Sequence, residues 1–284
     1  MKLVRFKDGA AAAAGVLTER GIVKTHATMA ALIEASMTDR AALKRQAAEG
    51  AAVPLESVRL LAPIDTPRNV MAIGLNYSDH IAETGVPKPE HQVWFNKQPS
   101  SIVGPGDAVE IPKVSMAIDW EAELVVVIGK RCRHVPAEKA IQVIAGYTCG
   151  NDVSVRDWQW KTPQWMLGKS FDTHGPIGPY IVTPDEFDVT KPHGIRCVVN
   201  GERKQNSTVD MLVFNVFQQI EHLTQAMTLM PGDIIFTGTP GGVGAAMKPP
   251  QFLKAGDTVR IEIDGIGSLE NPVVAEAGQA VGVH

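Results

Sequence analysis

The stretch that decides the fold is Asp119-Trp120-Glu121-Ala122-Glu123-Leu124-Val125-Val126-Val127-Ile128-Gly129. Its second half, from Leu124 to Ile128, is an unbroken apolar run rich in β-branched residues, which is typical of a strand buried on both faces. Glu121 and Glu123 lie at the entrance of that strand. Because side chains alternate along a strand, residues two apart point to the same side. The sequence therefore predicts a pair of carboxylates at the lip of a core.

Two like charges at one buried site are tolerated only if a proton, a base or a cation lies between them. Carboxylate oxygens are hard ligands that suit magnesium, manganese or calcium. A Glu-x-Glu pair at a strand end also occurs as the ordinary solvated face of a sheet. A metal site therefore needs support from other segments of the chain.

The composition is that of an ordinary globular protein. The chain has 284 residues, of which 44% are hydrophobic and 20% charged, and its formal net charge is −4. This length predicts one large domain, or a large domain with a small appendage. No block of lysines and arginines stands out, which argues against nucleic acid or an anionic membrane as the main partner.

The cysteines and the N-terminal region indicate a cytoplasmic protein. The apolar run at residues 10–17 is flanked by charged residues, and it is too short for a transmembrane span and poorly formed for a signal peptide. Neither a disulfide framework nor a zinc cage is indicated, because the cysteines are widely separated and odd in number. They are Cys132, Cys149 and Cys197.

Residues 1–65 are expected to form a small N-terminal α/β domain, with a proline-punctuated connector at its end. Asp39 is a plausible N-cap, and Gly50 a stop signal, for the second of its two helices. The expected elements are strands at residues 3–6 and 15–17 and helices at residues 29–35 and 40–48.

Residues 66–284 are expected to form the larger, β-rich domain. Three glycine–aspartate turns each precede an apolar strand, and Asn200-Gly201 is a hairpin signal. Convincing helical patterns occur only at residues 136–145 and 213–229. The fold class predicted for the whole chain is α+β with a majority of strand.

Four further segments carry candidate site residues. His80 and Glu83 are three apart in a predicted helical turn, so their side chains face each other. Asp152 ends an apolar strand, where a third oxygen ligand can be presented. Lys169 lies between a glycine and a serine, and a glycine-rich loop follows a strand at residues 237–244. Taken singly, none of these segments specifies a chemistry.

Taken together and in this order, the segments resemble the fumarylacetoacetate hydrolase family, and the resemblance covers residues 68–275. It implies a mixed β-sandwich roll with a small N-terminal unit, a homodimer, and a site under a lid near residues 76–90. The matching runs are GLNYxxHxxE from Gly74, DWExE from Asp119, NDxSxRDxQ from Asn151, GKSFD from Gly168 and TGTPGGVG from Thr237.

The resemblance also implies roles for the residues that match the family's motifs. A divalent cation, magnesium or manganese, is expected on three carboxylates, with a histidine as the base that activates water. Some members carry a fourth acidic ligand where this chain has Asn76, so Asn76 is not counted as a ligand. The implied residues are Glu121, Glu123 and Asp152 for the metal; His80, its orienting partner Glu83, and Lys169 for catalysis; and Tyr77, Arg156, Gln159 and Thr239 for the substrate.

Several residues also have a purely structural interpretation. Arg156 can pair with Asp152 or Asp157 inside the fold, and the glycines beside Thr239 can serve only a tight turn. His174 is expected to be structural. A local aromatic cluster is interpreted as core or subunit contact, and it consists of Trp158, Trp160 and Trp165.

The implied reaction is hydrolysis of a carbon–carbon bond in a 2,4-diketo acid, an acylpyruvate or a diketo-deoxy sugar acid, as in the acylpyruvase branch of the family. His80, oriented by Glu83, takes a proton from water, while the metal and Lys169 stabilise the enolate that leaves as pyruvate. Oxaloacetate decarboxylation and keto–enol isomerisation remain open, since a base near an enolate serves each reaction. So does a non-catalytic protein braced by a cation. The acyl portion of the substrate depends on residues near 86–94, 160–165 and 243–247.

Overall fold

The computed structural model describes residues 1–85 and 87–277, and strands make up most of its regular elements. The strands are β1 (Lys2–Asp8), β2 (Ala11–Thr18), β3 (Gly21–His26), β4 (Ala52–Val53), β5 (Val70–Gly74), β6 (Val93–Lys97), β7 (Ile102–Val103), β8 (Val109–Ile111), β9 (Ile118–Asp119), β10 (Ala122–Ile128), β11 (Ile144–Asn151), β12 (Ser154–Val155), β13 (Gly175–Val182), β14 (Gly194–Val199), β15 (Glu202–Thr208), β16 (Ile234–Phe236), β17 (Thr258–Ile263) and β18 (Gly267–Ala275).

Helices are fewer and mostly short. The α-helices are α1 (Met29–Thr38), α2 (Arg40–Glu49), α3 (Ser78–Thr84), α4 (Arg156–Gln159), α5 (Met166–Lys169) and α6 (Val216–Ala226). Single 3₁₀ segments occupy Leu55–Ser57, Pro99–Ser101, Ala137–Val143, Val209–Met211 and Gly244–Ala246. The predicted α+β, β-rich class is confirmed.

Two sheets pack face to face, as in a sandwich. The larger sheet has the order β4-β3-β2-β1-β13-β11-β10-β16-β5-β6, with β7 beside β13, and the smaller has the order β15-β14-β17-β18-β8. Both are mixed, because β16 pairs parallel with β5 and β18 pairs parallel with β8. Apolar side chains of β10 and β11 meet those of β14 and β17 in the main core.

Strand β10 is covered on both faces. Leu124 and Val126 join the main core between the sheets. Val125 and Val127 point the other way and join a second cluster with the buried side chains of α1 and α2. All seven residues of β10 are buried. Because no position from Leu124 to Ile128 meets water on either face, each of them favours an apolar side chain, which explains the unbroken run after Glu123.

The N-terminal unit extends the larger sheet. β1 pairs antiparallel with β13, with Leu3 opposite Ile181, and β2 to β4 continue outward from β1. The two expected helices are present as α1 and α2. Asp39 caps α2 by accepting the N–H of Ala42, and α2 ends at Gly50. β3 is not among the expected strands.

Two expected helices differ from the structure. The region at residues 136–145 contains only the 3₁₀ segment Ala137–Val143, because Ile144 already pairs with β10 as the first residue of β11. The helix expected at residues 213–229 is shorter and is α6. It begins after Asn215, whose side chain accepts N–H groups of the first turn in a capping box.

The expected lid near residues 76–90 contains α3. This helix ends at Gly85, whose φ of 68° is left-handed and favours glycine. Residue 86, in the segment expected to set specificity, and residues 278–284, at the end of the expected second domain, lie outside the described residues. In the described part of the chain, no helix is long and apolar enough to cross a membrane.

An ion-pair network around Asp185, just after β13, holds the N-terminal unit. Its carboxylate accepts hydrogen bonds from Lys44 Nζ at 2.8 Å, Arg40 Nη1 at 3.2 Å and the hydroxyl of Thr183. The α-amino group of Met1 lies 3.7 Å away. Burial favours the neutral acid, but these donors and charges outweigh burial and lower the pKa of Asp185 well below its usual range. The network therefore ties α2 and the N-terminus to the larger sheet.

We expect Asp185→Asn to lower the free energy of unfolding by about 1 kcal/mol at neutral pH, because the carboxylate is partly solvated and exposed pairs contribute modestly. The pKa is depressed in the folded state. This contribution is therefore complete above about pH 4, the ordinary pKa of aspartate, and is lost as the pH falls toward the folded-state value. Urea unfolding of both proteins at neutral and acidic pH measures the difference. A difference that grows on acidification contradicts this role.

Candidate active site

Three carboxylates converge at one end of the larger sheet. Oxygens of Glu121, Glu123 and Asp152 lie within 4.8 Å of one another, and all three side chains are buried. β10 and β11 run antiparallel with Ala122 opposite Asn151, so the start of one strand lies beside the end of the other. The N–H of Asp152 donates to the carbonyl of Glu121 at 2.9 Å. The strand register therefore brings together the three residues predicted as metal ligands.

Two lysines neutralise part of this charge. Nζ of Lys169 donates to Glu121 Oε2 and to Asp152 Oδ2, each at 2.8 Å. Nζ of Lys97 donates to Asp152 Oδ1 at 2.7 Å and also to the main-chain carbonyl of Lys169. Lys97 is 1% exposed. It is not among the predicted residues, because a lysine at a strand end is ordinarily solvated and no local pattern marks this one.

Arg156 pairs with Asp119 and Glu121. Its Nε donates to Asp119 Oδ2 at 2.8 Å, and its Nη1 lies 2.7 Å from Glu121 Oε1. The partners considered from the sequence, Asp152 and Asp157, are therefore wrong. The reason is the pairing of β12 with β9, in which Ser154 lies opposite Asp119, so that Arg156, two residues further along the same strand face, comes within reach of Asp119.

The two glutamates differ in their electrostatic environment. Burial disfavours the charge of Glu121, but the positive charges of Lys169 and Arg156 outweigh burial and lower its pKa to about 2. Burial raises the pKa of Glu123 well above its usual value, and the charges of Asp152 and Glu121 raise it further. Glu123 is therefore the carboxylate whose ionisation is least compensated.

The donor set fits a divalent cation bound by Glu121, Glu123 and Asp152. These three carboxylates belong to a larger buried cluster of acids and bases. When every member of that cluster is ionised, the negative charges outnumber the positive charges by one. Among the described residues, no basic side chain forms an ion pair with Glu123, which accepts a hydrogen bond from the N–H of Gly238 at 2.7 Å. Clustered carboxylate oxygens suit magnesium or manganese. The group comprises four carboxylates and three cations: Asp119, Glu121, Glu123, Asp152, Lys97, Lys169 and Arg156.

His80 and Glu83 face each other on α3, as their three-residue spacing predicts. Nδ1 of His80 lies 3.1 Å from Oε2 of Glu83. Oε1 of Glu83 accepts the N–H of Gly242 at 2.9 Å, so the glycine-rich loop holds the carboxylate in place. With Nδ1–H donated to Glu83, the other ring nitrogen of His80 can act as a base.

A cavity of about 580 Å³ joins the histidine pair to the acidic cluster. Thr239 Oγ1 donates to the carbonyl of Ala122 at 3.0 Å, and Gln159 Oε1 accepts a hydrogen bond from Arg156 at 2.9 Å. Asp152 is fully buried beneath the lysines rather than on the wall. The predicted site residues on the wall are His80, Glu83, Glu121, Glu123, Arg156, Gln159, Lys169 and Thr239.

Tyr77, Asn76 and His174 do not line this cavity. The ring of Tyr77 is fully buried in the main core, so its role toward the substrate stays a prediction. Asn76 braces the fold: its Nδ2 donates to the carbonyls of Phe214 and Thr237. Burial lowers the pKa of His174 to about 4, and its Nε2 lies 2.8 Å from the carbonyl oxygen of Glu110.

The three tryptophans of the local cluster have different environments. Trp158 packs against the main core, whereas Trp160 is 65% exposed and lies at the edge of the cavity. Trp165 lies on the cavity wall against Phe95. Gly74 leaves space for the ring of Trp165 beside the site, since a Cβ there would lie 2.3 Å from Trp165 Cζ3. Trp165 is therefore a wall residue rather than part of the core, and a subunit contact stays a prediction.

Comparison with family models covers most of the chain. Residues 69–274 match the model described as fumarylacetoacetate (FAA) hydrolase, C-terminal. The chain belongs to the fumarylacetoacetate hydrolase family. Residues 1–63 match a second model, described as Rv2993c-like, N-terminal. The predicted family is confirmed, and the chain is an enzyme of this family.

Members of the fumarylacetoacetate hydrolase family that resemble this chain have different activities in their names. A Xenopus laevis protein named mitochondrial oxaloacetate tautomerase is 50% identical over 222 residues, which are 77% of this chain and 69% of the relative. A Mycobacterium smegmatis structure named 5-carboxymethyl-2-hydroxymuconate delta-isomerase is 37% identical, with a TM-score of 0.81 over 97% of this chain and 100% of that one. The maleylpyruvate hydrolase of Sphingobium sp. SYK-6, solved with manganese(II) and pyruvate, is 31% identical, with a TM-score of 0.82 over 98% and 100%.

We expect Glu123→Gln to raise the melting temperature of the metal-free protein at alkaline pH, because the neutral amide removes a buried charge that repels two others. The pKa of Glu123 is raised in the folded state. The wild type therefore loses stability as the pH rises, and the advantage of the variant shrinks toward about pH 4, the ordinary pKa of glutamate. Calorimetry in chelator measures this. A variant that melts below the wild type at alkaline pH would show that the Glu123 charge is compensated without a metal.

Lys97→Met is expected to destabilise the protein by about 3–5 kcal/mol, because Asp152 loses a partner that no water can replace. The matched control is Lys24→Met, which removes a lysine paired with Asp8 at the surface and should cost no more than about 1 kcal/mol. Urea unfolding of both variants gives the comparison. Equal effects in the two variants would mean that Lys169 alone compensates Asp152.

Proposed function

We propose that the chain is a divalent-metal-dependent keto–enol tautomerase of 2-oxo acids, with oxaloacetate as the first substrate to test. The observation that carries the proposal is that His80, held by Glu83, and the acidic cluster line the same cavity. Enolisation needs a positioned base and positive charge beside the enolate oxygen. The 50% identical relative named oxaloacetate tautomerase supports the choice of substrate.

The side chains of the cavity divide the chemistry between a base and positive charge. A magnesium or manganese ion bound by the three carboxylates would polarise the substrate carbonyl and stabilise negative charge on its oxygen. His80 takes a proton from C3 of the 2-oxo acid, since Glu83 holds its other nitrogen. Burial opposes the charge of Lys169, but Asp152 and Glu121 outweigh burial and raise its pKa, so its ammonium supports the enolate. Protonated His80 returns the proton to the enolate oxygen, which completes the tautomerisation.

Hydrolysis of an acylpyruvate is the second candidate. In this reaction His80 takes its proton from water, the hydroxide adds to the distal carbonyl, and the carbon–carbon bond breaks to release pyruvate as its enolate. The structural likeness to the maleylpyruvate hydrolase that holds manganese(II) and pyruvate supports it. Products separate the reactions. Pyruvate plus a carboxylic acid from an acylpyruvate indicates hydrolysis, pyruvate plus carbon dioxide from oxaloacetate indicates decarboxylation, and a change in the enol fraction alone indicates tautomerisation.

We expect the wild type to speed the enol-to-keto conversion of oxaloacetate with magnesium or manganese, followed by ultraviolet absorbance, and to lose this activity in chelator. His80→Ala should lower kcat/KM by about 100-fold or more, because general-base catalysis contributes about that much. Glu83→Gln should lower it less, because the amide still occupies the site but holds the imidazole more weakly.

Manganese binding by calorimetry is the control for these variants, since neither His80 nor Glu83 belongs to the proposed ligand set. Full activity in His80→Ala would exclude this histidine as the base. Tight manganese binding without turnover of any 2-oxo acid would instead favour a non-catalytic cation site.

A homodimer in a reducing compartment is part of the same proposal. Cys132, Cys149 and Cys197 are free and buried, which suits a reducing environment. In solution the chain would bind a small 2-oxo acid as its substrate and a second copy of the chain as its subunit partner.

A further inference from the structure

The cavity is larger than a four-carbon diacid needs. Its volume of about 580 Å³ lies inside the range of about 300–1,000 Å³ that is typical of pockets for drug-sized ligands. A 2-oxo acid whose polar end lies at the acidic cluster would leave much of this space for the substituent on C3. The chemistry of the remaining wall therefore decides which substituent fits.

In the part of the chain that the structure describes, both cations on the wall are already paired and lie at the acidic cluster, away from a second carboxylate. Among the described residues that line the cavity, the lysine and arginine side chains are Lys169 and Arg156. Lys169 is bound by Glu121 and Asp152, and Arg156 by Asp119 and Glu121. A carboxylate on C3, as in oxaloacetate, would lose water without gaining a charged partner, so oxaloacetate is expected to bind more weakly than a 2-oxo acid with an apolar substituent.

An aromatic wall starts beside the acidic cluster. Nζ of Lys169 lies 5.0 Å from the ring centroid of Phe95. The ring of Phe95 packs edge-on against Trp165, with centroids 5.6 Å apart and an interplanar angle of 61°. Gly74 lets the tryptophan ring lie in close contact with β5. Among the described residues, the other apolar side chains on the cavity wall are Ile73, Leu75, Trp160, Val243, Ala245 and Ala246.

We propose that the cavity selects 2-oxo acids whose C3 substituent is aromatic or otherwise apolar, and that Phe95 and Trp165 form the surface that recognises it. Aromatic pairs prefer the edge-to-face or offset arrangements that this wall can offer to a further ring. The inference rests on the proposed function for the orientation of the substrate, with the 2-oxo acid end at the acidic cluster.

Three oxamates test the selectivity without turnover, because an amide nitrogen replaces C3. Oxamate carries hydrogen at that position, N-phenyloxamate a ring, and N-oxalylglycine a carboxymethyl group. We expect calorimetry on the manganese-loaded protein to give N-phenyloxamate a Kd at least tenfold below that of either of the others. Trp165→Ala should reduce the ratio of the oxamate Kd to the N-phenyloxamate Kd at least fivefold, and Trp165→Phe should keep most of it.

Phe252→Ala is the matched control, because it removes a partly exposed aromatic ring outside the cavity, and the ratio should not change. Ala246→Leu, which fills the cavity without removing a ring, should also lower the ratio and serves if Trp165→Ala does not fold. N-oxalylglycine binding as tightly as N-phenyloxamate, or an undiminished ratio in Trp165→Ala or, where that variant does not fold, in Ala246→Leu, would overturn the inference.

The two proposals fail separately. If tautomerase activity is absent but the Kd values have the expected order, the proposed reaction is wrong and the apolar selectivity stands. Tautomerase activity together with preferred binding of the carboxymethyl ligand would keep the reaction and remove the selectivity.

Discussion

The carboxylates of Glu121, Glu123 and Asp152 repel one another at a buried site beside the cavity, and the neighbouring cations of the site offset most of that repulsion. Lysine and arginine side chains reach them from separate segments, and all are buried with the acids. These cations leave one negative charge uncompensated, that of Glu123. This uncompensated negative charge favours the binding of a small divalent cation, since such ions require oxygen ligands and negative charge.

A single glycine-rich loop contacts both the uncompensated carboxylate of Glu123 and the carboxylate that holds the base. The N–H of Gly238 donates to Glu123, and four residues later the N–H of Gly242 donates to Glu83, the partner of the histidine. Both glycines have positive φ values, 104° and 98°. A Cβ on Gly242 would lie 2.2 Å from the carbonyl oxygen of Lys204, so a larger residue there would displace the loop. The loop therefore fixes the position of the base relative to the carboxylates.

How much of this is readable from the sequence depends on the range of the interaction. The apolar run of β10 and the spacing of Glu121 and Glu123 are local, and they predict the buried strand and the shared face of the carboxylates. Lys97 carries no such signal, because only the packing of β6 against the site makes it a buried counter-ion. The partners of Arg156 follow from the pairing of two short strands far apart in sequence. The position of Trp165 on the cavity wall cannot be predicted from the sequence for a similar reason, since it depends on contacts with β5 and β6.

The claim on which the account depends is that three carboxylates hold a divalent cation in the cavity. Diffraction from crystals grown with manganese, with data collected at a wavelength where manganese scatters anomalously, tests it most directly. A bound manganese ion should give an anomalous peak at bonding distance from oxygens of Glu121, Glu123 and Asp152. A map without a peak there, with Lys169 still bridging Glu121 and Asp152, would contradict it.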